Sequence, residues 1–409
     1  MNRRDLLKGL FALPLCGGLS SFVHAAPSQR VLVVVFMRGG WDGLNVIVPH
    51  GDDTYYGLRP NIAVRPPSDG DSAAALDLDG FFGMHPSMTA LHNLYQSGQV
   101  AVMPCVHYSG SSRSHFAGQD IIESASLLNH DSGWLARYLL HSGGTPLTKA
   151  LSVSEQLPLS LTGLATPVSA YADLASLQLA SSSSDRAMLA DVISRSYAWA
   201  PPSNNPHGAA LFSTGARLLD ELSGLQSVAQ TLPANGATYP MTAFGRQLRQ
   251  TAALIRAREG LEVVTLNVGG WDTHSNQGGG DPAGRMSVLL RGFSDSVGAF
   301  FSDLGGDASR VLMLAVTEFG RTAAENGSRG TDHGNASTWL AIGANVRGGI
   351  HLGTQWPGLT ATQLVDGRAL AHTIDFRSVY GSVLSRFLGA SNLSAILPEY
   401  SGSSLDIIA

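Results

Sequence analysis

Two β-branched apolar runs in this chain end on the same four residues. RVLVVVFM at 30–37 leads through Arg38 into Gly39-Gly40-Trp41-Asp42, and LEVVTLNV at 261–268 leads into Gly269-Gly270-Trp271-Asp272. An unbroken apolar run of this length predicts a strand covered on both faces, as in a parallel sheet. Paired glycines allow a sharp turn and a close backbone approach at the strand end. In open α/β sheets, ligand groups gather at the carboxyl ends of strands. The repeat therefore predicts two carboxylates, Asp42 and Asp272, delivered to one rim from strands far apart in sequence.

The rest of the chain supports this architecture. Further strands are expected at 99–106, 310–317 and 337–342, and helices at 86–96, 114–124 and 284–304. The order βαβαβ predicts an α/β fold with helices on both sides of a central, mostly parallel sheet. From about 181 to 260 the pattern is mostly helical, interrupted by SSSS at 181–184 and PPSNNP at 201–206. These loop signals predict a helical insertion in a single domain spanning 27–409.

Residues 1–26 read as a twin-arginine export signal. Arg3-Arg4 precede an apolar run at 9–23, and Val23-His24-Ala25 ends it with small residues suited to cleavage. The run is shorter than the roughly 20 residues a membrane span requires. The expected location is the periplasm or outside the cell, after passage through the twin-arginine translocon, with no stable membrane span in the mature form.

Composition removes several chemistries. Charged residues make up 14% of the chain and the net charge is −5, so no basic surface for nucleic acid is expected. Beyond the leader the only cysteine is Cys105 and the only lysine is Lys149. This excludes intramolecular disulfides, iron–sulfur clusters and a P-loop of the GxxxxGK[ST] type. A protein-bound metal must then be held by His, Asp and Glu.

Such residues collect after the predicted strands. Asp272-Thr273-His274 follows one, Glu318 follows the strand at 310–317, and Asp332-His333 stands just before the strand at 337–342. Carboxylates mixed with imidazoles suit Zn²⁺ or Mn²⁺. The loop YSGSSRSHF at 108–116 leads into a helix, where Ser114 gains from the amides and dipole of the N-terminus as a nucleophile; Ser112 is the other serine open to that role. Arg113 and Ser114 are thus the catalytic candidates, and Arg38 and Arg321 the candidates to clamp an anionic group, with His85 a further substrate-binding candidate. Arg321 is also placed to bridge to Glu318 structurally. Trp41 and Trp271 are expected to pack in the core.

The motifs FMRGGWDGL (36–44), GMHP (83–86), RSHF (113–116), GWDTH (270–274), EFGRT (318–322) and TDHG (331–334), behind a twin-arginine leader, resemble the exported bacterial family catalogued as domain of unknown function 1501. That family is similar to the alkaline phosphatase and sulfatase superfamily. The resemblance implies a three-layer α/β sandwich, two divalent ions at the carboxyl edge of the sheet, and hydrolysis or transfer of a small anionic phosphoric ester, less readily a sulfuric one. It places metal ligands at Asp42, Asp272, His274, Glu318 and His333, and a nucleophile at Ser114. The superfamily's Asp-His pair appears here as Glu318-Phe319, so one imidazole is missing from its usual place; His85, His115 and Asp332 are the replacements left open. A catalytically silent metal- or ligand-binding protein, or a structural partner of another exported protein, are the alternative functions.

Overall fold

The computed structural model describes residues 30–143, 149–165, 168–174, 230–257 and 260–409, with isolated positions between 188 and 228. The expected leader at 1–26 and most of the expected insertion at 181–260 lie outside the described residues. The main elements, in chain order, are β1 (Val31–Met37), α1 (Thr89–Gln96), β2 (Val100–His107), α2 (His115–Ser124), α3 (Trp134–His141), β3 (Ala150–Val153), α4 (Ala243–Ala257), β4 (Val263–Val268), α5 (Arg285–Leu304), β5 (Val311–Val316), β6 (Ser337–Ile342), β7 (Gly349–Ile350), β8 (Ile374–Asp375) and α6 (Phe376–Ser382).

The strands form one sheet in the order β7-β2-β6-β5-β1-β4-β3, with β8 also paired to β2. All pairings are parallel except those of β6, which runs antiparallel to both β2 and β5. That single reversal matters for the site: the segment leading into β6 starts at the rim where β1, β2, β4 and β5 end.

β1 lies at the centre, and its alternation builds two cores. Val31, Val33, Val35 and Met37 face one cluster with Leu91 of α1, Leu248 of α4 and Leu290, Phe293, Val297 and Phe300 of α5. Leu32, Val34 and Phe36 face the other, with Ile122 of α2, Leu135 of α3 and Val379 of α6. A strand with a core on each face cannot afford polar residues at either set of positions, hence its unbroken apolar run. The spacing of Met286, Leu290, Phe293, Val297, Phe300 and Leu304 gives α5 one buried stripe. Each such side chain contributes about 1.5–3 kcal/mol by leaving water. The three-layer sandwich expected from the sequence is the architecture observed.

Candidate metal centre

The two Gly-Gly-Trp-Asp copies end neighbouring parallel strands, β1 and β4, in register from Leu32↔Val263 to Met37↔Val268. Gly39 and Gly40 have φ of +115° and +64°. A Cβ on Gly39 would lie 2.7 Å from the backbone nitrogen of Asp272, so the second copy packs directly on the first. Trp41 and Trp271 are both fully buried and meet edge to face at 5.5 Å, which is the core role expected of them.

Beyond these turns, three donor atoms converge, from His115, Asp272 and His333, and His274 Nε2 lies beside two of them. His333 Nε2 lies 3.0 Å from His115 Nε2 and 3.1 Å from His274 Nε2. Asp272 Oδ1 lies 2.9 Å from His274 Nε2, 3.3 Å from His333 Nε2 and 3.5 Å from His115 Nε2. His115, Asp272 and His333 each offer one ligand atom within 4.8 Å of the others.

The opposite nitrogen of each ring has its own acceptor. His115 Nδ1 is 2.8 Å from Glu318 Oε1, His274 Nδ1 is 3.0 Å from Asp332 Oδ1, and His333 Nδ1 is 2.9 Å from the carbonyl of Arg113. Ionised carboxylates and a carbonyl have no hydrogen to give, so each Nδ1 carries a proton, and each ring is oriented to turn its Nε2 inward, where a cation would meet its lone pair. Inward lone pairs about 3 Å apart repel unless a proton or a cation lies between them. A tetrahedral ion with bonds of about 2.0–2.1 Å would set its donors roughly 3.3 Å apart. The three separations among His115, Asp272 and His333, at 3.0, 3.3 and 3.5 Å, bracket that value. The donor set therefore fits a divalent cation, and the acceptors behind the rings are the outer partners that such ligands have.

Charge at the site is correspondingly shifted. The hydrogen bond to Glu318 raises the pKa of His115, whereas burial lowers that of His333 and outweighs its hydrogen bond to the Arg113 carbonyl. Burial opposes ionisation of Asp272, but Arg321 outweighs it and holds the carboxyl below its ordinary value. Glu318 is fully buried; burial opposes its charge, and hydrogen bonds from His115, Gln119 and the Gly39 amide outweigh that too. The amide of Asn326 and the His274 ring keep Asp332 low.

Not every expected residue joins this cluster. Asp42 departs most from expectation. Its carboxylate is bonded by both terminal nitrogens of Arg59, at 2.6 and 2.9 Å, and by Gln277 Nε2 at 2.6 Å, with Asp42 and Arg59 both buried. Its oxygens are committed to a guanidinium, which already supplies the positive charge a metal would bring. Glu318 and Asp332, expected as ligands, stand behind His115 and His274.

His85 is buried with both ring nitrogens used inside the fold, Nδ1 accepting from the Ser87 amide and Nε2 facing the Gly279 carbonyl. Its ring is thus committed within the fold. Arg38, expected as a clamp for an anionic group, lies over the Phe36 ring and pairs with Glu123 and Asn267. Arg321 is engaged by Asp272 and by the carbonyls of Gly39, Gly40, Trp271 and Thr331. Its role is to pin the two turns together, and its carboxylate partner is Asp272 instead of the Glu318 expected. The Arg113 side chain pairs with Asp366. Ser114 precedes α2 in extended conformation, and its hydroxyl makes no capping bond to the helix.

His115, the first residue of α2 and one of the three replacements left open, turns its Nε2 into the cluster beside His333 and Asp272. Phe319, which stands where a ligand was expected, is buried beneath the rings at 4.8 Å from His115 and 4.9 Å from His333. Arg59 and Gln277 in loops, and Gln119 within α2, escaped the sequence reading because a lone Arg or Gln carries no motif.

The chain matches the model of the family described as "Protein of unknown function (DUF1501)" over residues 29–395, and it belongs to that family. No curated protein matches it significantly. Similar solved structures include the C-terminal periplasmic domain of EcEptC from Escherichia coli in complex with Zn, at 9% identity and TM-score 0.37, covering 78% of this chain and 74% of that one. The lipoteichoic acid synthase LtaP from Listeria monocytogenes is 7% identical with TM-score 0.36, covering 93% and 74%. The PsFucS1 sulfatase from Pseudoalteromonas sp. is 11% identical with TM-score 0.35, covering 92% and 73%. At these scores the functional argument rests on the side chains of this chain alone.

Proposed function

We propose that this chain is an exported, metal-dependent hydrolase or transferase acting on a small phosphoric ester, less readily a sulfuric one. One observation carries the reading: the back-bonded imidazoles of His115 and His333 bring Nε2 together with Asp272 Oδ1, all within 4.8 Å of one another. His115, His333 and Asp272 would hold one ion, with His274 beside them, and zinc is the best match to imidazole and carboxylate donors and manganese next. A divalent ion held there supplies Lewis-acid polarisation of an ester oxygen. Because Asp42 is neutralised by Arg59, the geometry supports one ion instead of two.

The protein's own contribution is positioning. Glu318, Asp332 and the Arg113 carbonyl keep the Nδ1 protons in place and the rings aimed. Phe319 closes the floor against water. Ser114, one residue before His115 and with its hydroxyl unused by the helix, is the proposed nucleophile. No helix among the described residues is long and apolar enough to cross a membrane. The proposed setting is the periplasm or outside the cell, reached through the twin-arginine translocon.

A second reading has its own support. His274 Nε2, 2.9 Å from Asp272 Oδ1 and 3.1 Å from His333 Nε2, would close the shell if it joined as a fourth donor, and closed shells mark structural metal sites whereas catalytic ones keep a position open. The protein would then bind metal without turning over an ester. Elemental analysis of the exported protein, followed by a screen of phosphate and sulfate esters with wild type and Ser114→Ala, separates the two. Near-stoichiometric zinc with turnover lost in Ser114→Ala supports the enzyme; zinc without turnover supports the silent binder. Wild type purified without chelators and free of metal sinks both.

A further inference from the structure

The turn at 365–368 reaches the outer partners of two of the three histidines. Asp366 and Gly367 have φ of +52° and +63°, and the Arg368 amide donates to the Val365 carbonyl at 3.0 Å, which closes a tight β-turn with two left-handed residues. The turn is anchored beside Arg321: the Ala323 amide donates to the Arg368 carbonyl at 2.8 Å, and Thr322 pairs with Ala369. From this base Asp366 pairs with the Arg113 side chain, and Arg368 Nη2 stands 4.0 Å from Asp332 Oδ2.

Arg113 is the informative partner. Its φ is +56°, a conformation that disfavours any residue with a Cβ, yet it is this backbone that turns its carbonyl onto His333 Nδ1. Nothing in the local sequence favours a left-handed arginine. What opposes its relaxation is the ion pair to Asp366 at one end and the imidazole at the other. Asp332 is similarly shared, between His274 on one side and Arg368 on the other.

We infer that this turn is a positioning device for the histidine cluster, in which Asp366 acts through Arg113 on His333 and Arg368 acts through Asp332 on His274. The inference rests on the metal reading above. None of Arg113, Asp366 and Arg368 touches the ion position with its side chain; they set ring orientation, as outer partners of metal ligands do.

The test measures zinc affinity of the full exported protein by competition with a chromophoric chelator, together with the visible spectrum of the Co²⁺ form. Asp366→Ala is expected to weaken zinc about tenfold and to change the cobalt bands. Arg113→Ala should do the same, and the double variant should be no worse than either. Arg113→Gly, which accepts the left-handed backbone without the ion pair, should lose less than Arg113→Ala. Arg386→Ala, which breaks the exposed pair with Asp406, should match wild type, and thermal unfolding of each metal-free variant checks that it is folded. Zinc affinity and cobalt spectrum unchanged in Asp366→Ala overturn the inference while leaving the metal reading intact. Should wild type take up no metal, the metal reading falls, and ¹⁵N resonances of the His333 ring in metal-free protein decide the inference by themselves: a shift in Asp366→Ala upholds it and none overturns it.

Discussion

The two copies of Gly-Gly-Trp-Asp have one local structure and two fates. Both end a central parallel strand, both bury a tryptophan, and both place an aspartate at the sheet's rim. Asp42 is 1% exposed and spends its charge on Arg59, whereas Asp272 is 45% exposed and faces three imidazoles. Arg321 links the turns, bonding the Gly39 and Gly40 carbonyls of the first and the Asp272 carboxylate of the second. One copy stabilises the rim and the other presents chemistry on it. The same motif is therefore a statement about strand ends; the role of its carboxylate depends on what reaches it from elsewhere.

The largest expected difference between the copies is in stability. Asp42→Ala leaves Arg59 as an unpaired charge in the interior and should cost about 3–5 kcal/mol, read as a fall in the urea midpoint. A cost no larger than that of Asp272→Ala would break the comparison.

The buried side of the rim should also carry an acid signature. Burial lowers His85 from the ordinary 6.5 to about 4. The folded protein then holds His85 neutral while the unfolded chain protonates it, so its stabilising contribution is full above pH 6.5 and is lost as pH falls toward 4. The loss is on the order of 3 kcal/mol. His85→Gln, which can reproduce both hydrogen bonds, should flatten the dependence of unfolding free energy on pH across that window; an unchanged slope would remove His85 from the account.

Asp272→Ala should instead act on the ligand. Zinc affinity is expected to fall about a hundredfold, roughly 2.7 kcal/mol, with a smaller fall in the unfolding midpoint of the metal-free protein than Asp42→Ala gives, because the Arg321–Asp272 pair is open to solvent on the Asp272 side, 45% exposed, whereas the Arg59–Asp42 pair is buried at both ends. The smallest contrast lies between the tryptophans. Trp41 Nε1 donates to the Thr338 carbonyl at 2.8 Å, while Trp271 Nε1 meets no acceptor among the described residues. Trp41→Phe should therefore cost about 1 kcal/mol more than Trp271→Phe, and equal costs would show that the hydrogen bond adds nothing.

Much of this was legible beforehand. β1 and β5 announce themselves as unbroken apolar runs, β4 as a β-branched one with Thr265 and Asn267 in it, α5 by its stripe, and the rim by the chemistry clustered at 272–274, 318 and 332–333. The residues misplaced were those whose partners lie far away in sequence. Glu318 and Asp332 look like ligands in one dimension and stand behind ligands in three. His115 looks like a helix start, and becomes a member of the cluster only when α2 brings it against Glu318, 203 positions along.

The sequence by itself determined which segments are strands and helices, that the sheet is covered on both faces, and that aspartates and histidines gather at strand ends. These follow from periodicity and backbone preference, which act over a few residues. Only the tertiary structure decided that β6 runs backwards and so brings His333 to the rim, that Arg59 takes Asp42, and that Asp272 is left for the imidazoles. Electrostatic pairing falls off with distance in space and takes no account of distance along the chain, so the partner of each charge was settled by how the layers packed.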